Sequence, residues 1–257
     1  MIQISSAWPI SSGKATIANS TGEQVQTMNV PLSESGTDVI IPVRNEYPLT
    51  RNLLEGIYRH TEAPFHIYII DNDSTDETVD LRKIYARDIT VVRNRENRGW
   101  CAGVNQGIHL GRNPYVVFMD NTVEVSRGWL SNLDAFLDTH PRIGAVGPLV
   151  SHDDGWQCVD KVREKIAPQI PQFLTEDLHE RNRILEFHFH GAGILVEEML
   201  GFFCVALKRR TVDAVGLLNE ACADGSDDYC RRLRKAGYVL GLSLDTLIGD
   251  SRLPVRE

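Results

Sequence analysis

Short apolar runs that end abruptly in acids and amides set the pattern of this chain. Thr37-Asp-Val-Ile-Ile-Pro-Val43 runs into Arg44-Asn45-Glu46. His66-Ile-Tyr-Ile-Ile70 runs into Asp71-Asn72-Asp73-Ser74-Thr75-Asp76, and Tyr115-Val-Val-Phe-Met119 runs into Asp120-Asn121-Thr122. Runs of this length, bounded by polar clusters, read as strands buried on both faces of a sheet. Leu49, Leu53, Leu54 and Ile57 recur at helical spacing, and so do Val79, Leu81 and Ile84 after the start signal at Ser74 and Thr75. Strands alternating with helices imply parallel pairing and right-handed crossovers. Open sheets of that kind bind ligands in the crevice outside the carboxyl ends of their strands, so the three polar clusters are delivered to one functional rim.

The pattern continues through a strand at Ile89–Val92 and a glycine-rich stretch, Asn97-Arg-Gly99-Trp-Cys-Ala-Gly103-Val-Asn105-Gln-Gly107. It predicts a helix from about Gly128 to Leu137 and a strand at Ile143–Val146. Residues 151–186 are charged and punctuated by Pro168 and Pro171, which reads as an insertion or mobile loop. Phe202–Leu207 then reads as a buried strand, Lys208–Val215 and Asp227–Ala236 as helices, and Tyr238–Leu242 as a late strand. Residues 1–36, rich in Ser, Thr, Gly and Gln with weak alternation, are expected to form an N-terminal arm or edge strands.

Composition narrows the classes. A chain of 257 residues buries a substantial core, and hydrophobic and charged fractions of 42% and 24% exclude a disordered or fibrous chain. A formal charge of −8 argues against a nucleic-acid partner. Cys101, Cys158, Cys204, Cys222 and Cys230 are odd in number and form no C-x-x-C pair, so neither a disulfide framework nor a zinc site is expected. A reducing cytoplasm fits that usage. No leader pattern and no stretch of ~20 apolar residues is present, so no transmembrane segment is expected and the protein is at most peripheral to a membrane.

Several motifs in fixed order carry a resemblance. They are Ile40-Ile-Pro-Val-Arg-Asn45, Ile70-Asp-Asn-Asp-Ser-Thr-Asp-Glu-Thr78, Asn97-Arg-Gly-Trp-Cys-Ala-Gly-Val-Asn105, Val117-Phe-Met-Asp-Asn121 and Gly128-Trp-Leu130, followed by Gly201-Phe-Phe-Cys-Val-Ala-Leu-Lys208, Val215-Gly-Leu-Leu-Asn-Glu220 and Asp227-Asp-Tyr-Cys-Arg-Arg-Leu-Arg-Lys-Ala-Gly-Tyr238. Over roughly residues 37–250 the chain resembles the inverting, nucleotide-sugar-dependent glycosyltransferases of family 2. The resemblance implies an α/β fold with a mixed, mostly parallel central sheet flanked by helices, the A-type glycosyltransferase fold. It divides residues 37–257 into a nucleotide-binding half (37–125) and an acceptor-binding half (126–257) with the loop 151–186.

Residue by residue, the resemblance implies a nucleotide pocket from Pro42, Val43, Arg44, Asn45, Glu46 and Asp71, with Asn97, Gly99, Asn105, Asp120 and Asn121 beside it. The competing reading makes Asn45 and Asp71 caps of the following helices, and Gly103 and Gly107 a close helix–sheet contact. Asp73, Ser74 and Asp76 are assigned to the turn and helix start. The implied cofactor is a divalent cation, Mn2+ or Mg2+, held at Asp120 against the donor's diphosphate. Thr122 stands where the family usually has a second acid, and Asp250 is the nearest equivalent of a late metal-binding histidine. One or two carboxylates with phosphates and waters suffice for magnesium. His188-Phe-His190, read as a strand, aims both rings to one side. The general base falls on Asp227, with Asp228 and then Asp224 as alternatives. Against these stands a helix start capped by Ser226 and complemented by its acids.

The implied function is transfer of a sugar from a nucleoside-diphosphate donor, UDP being the expected nucleotide, to a hydroxyl of a glycan or lipid-linked acceptor. The alternative is a catalytically degenerate nucleotide-binding scaffold subunit of the same fold, which Thr122 and the irregular base motif favour. A nucleotidyltransferase of related topology lacks support, since no glycine-rich basic signature follows the first strand.

Overall fold

A computed structural model describes residues 36–252, apart from 86–87, 152–154, 166, 176, 198 and 223–224. The expected N-terminal arm therefore lies outside the described residues, Gly36 excepted, and so does Asp224. The apolar runs form β1 (Thr37–Val43), β2 (Phe65–Asp71), β3 (Ile89–Arg93) and β4 (Tyr115–Met119), side by side in the order β3-β2-β1-β4 and all parallel. The β1–β2 connection carries α1 (Tyr47–His60), and the β3–β4 connection carries α3 (Trp100–Leu110). Between β2 and β3 the expected helix shrinks to a 3-10 turn (Glu77–Asp80) and a single α-turn, α2 (Leu81–Ile84). Only Leu81 of its apolar stripe is buried, while Val79 and Ile84 are exposed. A helix without a buried face has little to lengthen it.

The second half brings the antiparallel pairings. It comprises β5 (Val123–Val125), α4 (Trp129–Thr139), β6 (Ile143–Val150), α5 (Val159–Lys165), α6 (Leu178–Phe189), β7 (Gly193–Val196), β8 (Cys204–Lys208), α7 (Arg209–Val215), α8 (Ser226–Lys235) and β9 (Val239–Asp250). The sheet continues β4-β8-β6-β9-β5, with β7 also on β9. β8 runs antiparallel to both β4 and β6, β6 and β9 are parallel, and β5 and β7 are antiparallel to β9. This is the expected mixed sheet flanked by helices. Residues 151–186, expected as a loop, contain α5 and the start of α6, whose N-terminus is capped by Asp177 accepting from Glu180 N–H at 2.7 Å. His188 and His190 close that helix instead of lying on a strand. At 3.6 residues per turn, positions two apart point to nearly opposite sides.

Alternation along the strands fills two cores, one on each face of the sheet. Val39, Ile41 and Val43 of β1 join Leu53, Leu54 and Ile57 of α1, whereas Ile40 faces Val104 and Ile108 of α3. β4 divides likewise, Val117 and Met119 to one side and Val116 and Phe118 to the other. Each such fully buried side chain contributes ~1.5–3 kcal/mol. α3 lies unusually close to β1: a Cβ on Gly103 would meet Pro42 Cβ at 2.9 Å, and one on Gly107 would meet Ile40 Cγ2 at 2.3 Å. These two glycines therefore serve helix–sheet packing, which sets the height of the loop preceding α3 over the rim.

Candidate active site

The carboxyl ends of β1, β2 and β4 form one rim, because the strands are in parallel register. The β1 and β2 ends are stitched together by side chains. Asn45 N–H donates to Ser74 Oγ at 2.8 Å, Thr75 N–H to Asn45 Oδ1 at 2.8 Å, and Tyr47 N–H to Asp76 Oδ2 at 2.9 Å. Asp76 also accepts from Thr78 N–H at 3.1 Å, so it starts both α1 and the 3-10 turn, as expected of a turn residue. Asn45, Glu46 and Asp73 all have positive φ, of 59°, 59° and 66°. Such backbone is costly for residues other than glycine and persists where neighbours hold it. Pro42 and Val43 are buried, and Arg44 and Glu46 are exposed above them.

Asp71 is buried, 1% exposed, and Oδ1 accepts from Ser74 N–H at 2.8 Å. Its Oδ2 lies 3.9 Å from Arg93 Nε. It thus caps its own turn, while Oδ2 accepts no hydrogen bond among the described residues. Asn72 Nδ2 donates to Gly99 O at 3.1 Å, and Asn97 Oδ1 accepts from Gly99 N–H at 3.0 Å, which fixes the glycine loop against the β2 end. Asn105 is turned elsewhere. Its Nδ2 donates to Leu218 O and Glu220 Oε1 at 3.0 and 2.9 Å, and its Oδ1 accepts from Leu218 N–H at 2.9 Å. Both donors and the acceptor are used within the protein, so Asn105 anchors the 218–220 loop.

Asp120 follows β4, its N–H bonded to Phe203 O at 2.9 Å. Its Oδ1 accepts from Thr122 N–H at 3.1 Å and from Thr122 Oγ1 at 2.9 Å. Asn121 points away, donating to Thr50 Oγ1 of α1 at 3.0 Å. Asp250 ends β9 opposite Val123, next to Thr122, so two expected metal ligands flank one threonine. Asp250 is an ordered strand end, 11% exposed at its side chain, and Arg252 engages both of its oxygens. Burial acts to raise its pKa, but the Arg252 hydrogen bonds outweigh that and hold the carboxyl below its usual range. Among the described residues no three His, Cys, Asp or Glu side chains gather as a metal-holding group. Asp120 and Asp250 would together offer a cation at most two carboxylates, and Arg252 already engages both oxygens of Asp250.

Beside this rim lies a cavity of about 230 Å³, walled by Trp156, Gln157, Met199, Leu200, Phe203 and Ile248 among others, with Asp227 at its edge. Its wall is stiff. Gln157 Nε2 donates to Pro148 O at 3.1 Å while its Oε1 accepts from Gly201 N–H at 2.7 Å, and Trp156 Nε1 donates to Met199 O at 2.7 Å. Asp227 and Asp228 occupy the first turn of α8, whose N-cap is Gly225 and not Ser226. Asp228 is paired with Arg232 at 2.8 Å, and that guanidinium also donates to Val215 O and Leu217 O at 2.9 and 2.8 Å. Asp227 is exposed, and its carboxylate has no partner among the described residues. Of the acids read from the sequence, Asp227 lines the cavity. Asp120 adjoins it through Phe203, and Asp71 lies on β2, two strands from β4, roughly 10 Å along the rim. Phe203 was expected from the sequence as core or acceptor-pocket wall, whereas Trp156, Met199, Leu200, Ile248 and Arg252 escaped the sequence reading.

Comparison with known proteins places this geometry. Residues 38–199, more than half of the chain, match the model of "Glycosyl transferase family 2". The "Uncharacterized glycosyltransferase YibD" of Escherichia coli K12 is 34% identical over 95 residues, covering 36% of this chain and 28% of that protein. The chain thus spans less than a third of this relative's length. Among solved structures, mannosyltransferase PcManGT from Pyrobaculum calidifontis in complex with GDP-Man and Mn2+ superposes with a TM-score of 0.63 at 18% identity, covering 88% of this chain and 60% of that one. GalNAc-T7 with UDP, GalNAc and Mn2+ gives 0.60 at 14% identity, covering 84% and 44%. At such identities the likeness is one of fold, the A-type glycosyltransferase fold.

Proposed function

This chain belongs to glycosyl transferase family 2, and we propose that it is an inverting glycosyltransferase with a nucleoside-diphosphate-sugar donor and a hydroxyl acceptor. The observation that carries the reading is Asp227, a carboxylate without a partner among the described residues, at the edge of a cavity whose Phe203 wall is bonded to the backbone of Asp120. Asp71, the Asn45–Glu46 backbone and the Asn97–Gly99 loop hold the nucleoside. Asp227 takes the proton of the acceptor hydroxyl. The acceptor oxygen attacks the anomeric carbon from the face opposite the leaving group. The new glycosidic bond forms as the bond to the diphosphate oxygen breaks, and negative charge gathers on the departing diphosphate. A divalent ion at Asp120 and Asp250, when bound, would neutralise part of that charge. UDP is the nucleotide preferred, and the acceptor is a glycan or lipid-linked sugar in a cytoplasmic setting. No described helix is long and apolar enough to cross a membrane.

A scaffold role is the second reading, favoured by Thr122 in place of an acid and by the engagement of Asp250 by Arg252. Calorimetry with UDP, GDP and dTDP, with and without Mn2+, followed by NMR of the product's anomeric configuration, separates the two. An enzyme binds one of them and yields an inverted product. A scaffold binds without turnover. Binding of none of the three removes the proposal altogether.

A further inference from the structure

Arg252 stands two residues past the end of β9, against Asp250. Its Nε lies 3.1 and 3.2 Å from the two oxygens of Asp250, Nη2 lies 2.7 Å from Oδ2, and its own N–H donates to Oδ1 at 2.9 Å. Ser251 N–H donates to Thr122 O at 2.8 Å, so this segment is fastened to the turn that carries Asp120. The Asp250 side chain is 11% exposed and that of Arg252 is 54% exposed, so the carboxylate is set in the rim and the guanidinium lies over it.

A guanidinium carries five N–H donors. Asp250 takes those on Nε and one on Nη2, and the rest have no partner among the described residues. The Asp250 carboxylate alone would repel a diphosphate, whereas the half-exposed guanidinium beside it attracts one. Planar guanidinium groups match phosphate oxygens in paired hydrogen bonds.

Resting on the reading above, we propose that Arg252 binds the diphosphate of the donor and stabilises it as it departs, as a cation built into the chain. It also shares Asp250 with any divalent ion, since it engages both oxygens of that carboxylate. One substitution should therefore move two affinities in opposite directions: removing the guanidinium weakens diphosphate binding and frees Asp250 for metal.

The test uses the full chain and Arg252→Gln and Arg252→Lys variants. Calorimetry in EDTA compares UDP, GDP and dTDP with their monophosphates, and paramagnetic resonance titrates Mn2+ without nucleotide. For the nucleotide that wild type binds, Arg252→Gln should lose ~10–100-fold in diphosphate affinity, the equivalent of a charge-assisted hydrogen bond of ~1.5–3 kcal/mol. The monophosphate should change much less. Arg252→Lys should recover part of the loss, and Mn2+ should bind Arg252→Gln more tightly than wild type. Unchanged diphosphate affinity, or an equal loss for mono- and diphosphate, overturns the proposal. Mn2+ binding no tighter in Arg252→Gln overturns the sharing of Asp250. If wild type binds no nucleotide with or without Mn2+, the fault lies with the glycosyltransferase reading. If it does bind and the variants match it, the fault lies with Arg252 alone.

Discussion

The two ends of β1 and its neighbours use aspartate in opposite ways. At the amino ends, Asp38 is 0% exposed and every side of its carboxylate is occupied: Asn113 N–H at 3.0 Å, Asn113 Nδ2 at 2.8 Å and Arg209 Nη2 at 2.6 Å. Arg209 in turn donates to Asn113 O and Ile108 O, so the acid ties β1 and the α3–β4 loop to the start of α7. At the carboxyl ends, Asp120 has one oxygen engaged by Thr122, and at the cavity beside them Asp227, in the first turn of α8, has neither engaged among the described residues. Asp38, saturated by its own protein, holds the fold together, whereas the proposed function draws on the acids with spare lone pairs at the cavity.

Asp38→Ala should have the largest effect. It strands the Arg209 guanidinium, 15% exposed, and removes the acceptor for Asn113. Removing one partner of a buried pair costs ~3–5 kcal/mol. Urea unfolding should show that loss, and a change below ~1 kcal/mol would erase the distinction between the two ends. Asp227→Asn should do the reverse. Sugar transfer should fall by ~10²-fold or more, as expected on loss of a general base, while the unfolding midpoint stays put. A variant that transfers at the wild-type rate would return the base to Asp228 or Asp224. One that unfolds early would make Asp227 structural after all.

How much of this was legible beforehand follows the same division. β1, β2 and β4 are apolar on both faces, so hydropathy alone marks them and the acids that follow. β5 and β7 are too short to show alternation, and they exist because β9 offers them an edge. The far half of β9 was hidden for another reason: Ser243, Asp245 and Thr246 are buried polar residues that satisfy one another, with Asp245 Oδ1 accepting from Ser243 Oγ at 2.5 Å and its Oδ2 from Gly191 N–H at 2.7 Å. A hydropathy pattern cannot register polarity cancelled in space. α6 did carry a local signal, Asp177 followed three residues later by Glu180, masked by the prolines before it. Asp71, Asp120 and Asp227 were visible as strand or helix ends. The partners of Asn105 lie more than a hundred residues away on the 218–220 loop, and Arg252, though only two residues from Asp250, is brought to the Asp120 turn by the fold, through Ser251 N–H on Thr122 O.

Asp134 tests the comparison at its boundary, since it sits at the amino end yet is only half satisfied. Thr37 Oγ1 donates to its Oδ2 at 2.7 Å, while its Oδ1 is buried without a partner among the described residues. Burial pushes the carboxyl up to about 7, the Thr37 hydrogen bond opposes that, Asp138 adds to it and Lys208 opposes it. The sign follows from where the proton is kept. Below the ordinary value of 3.8 both folded and unfolded chains hold it, so the group contributes no difference. As pH rises from about 4 to about 7 the unfolded chain releases the proton and the folded chain retains it, so stability falls through that window and levels off above it. Asp134→Asn, uncharged at every pH but still able to accept from Thr37, should remove this fall. Unfolding free energies from pH 4 to 8 should therefore diverge, with the variant the more stable by on the order of 1–3 kcal/mol at pH 8. Parallel curves would mean that Asp134 is ionised and satisfied in the folded chain, and it would then join Asp38 as a structural acid.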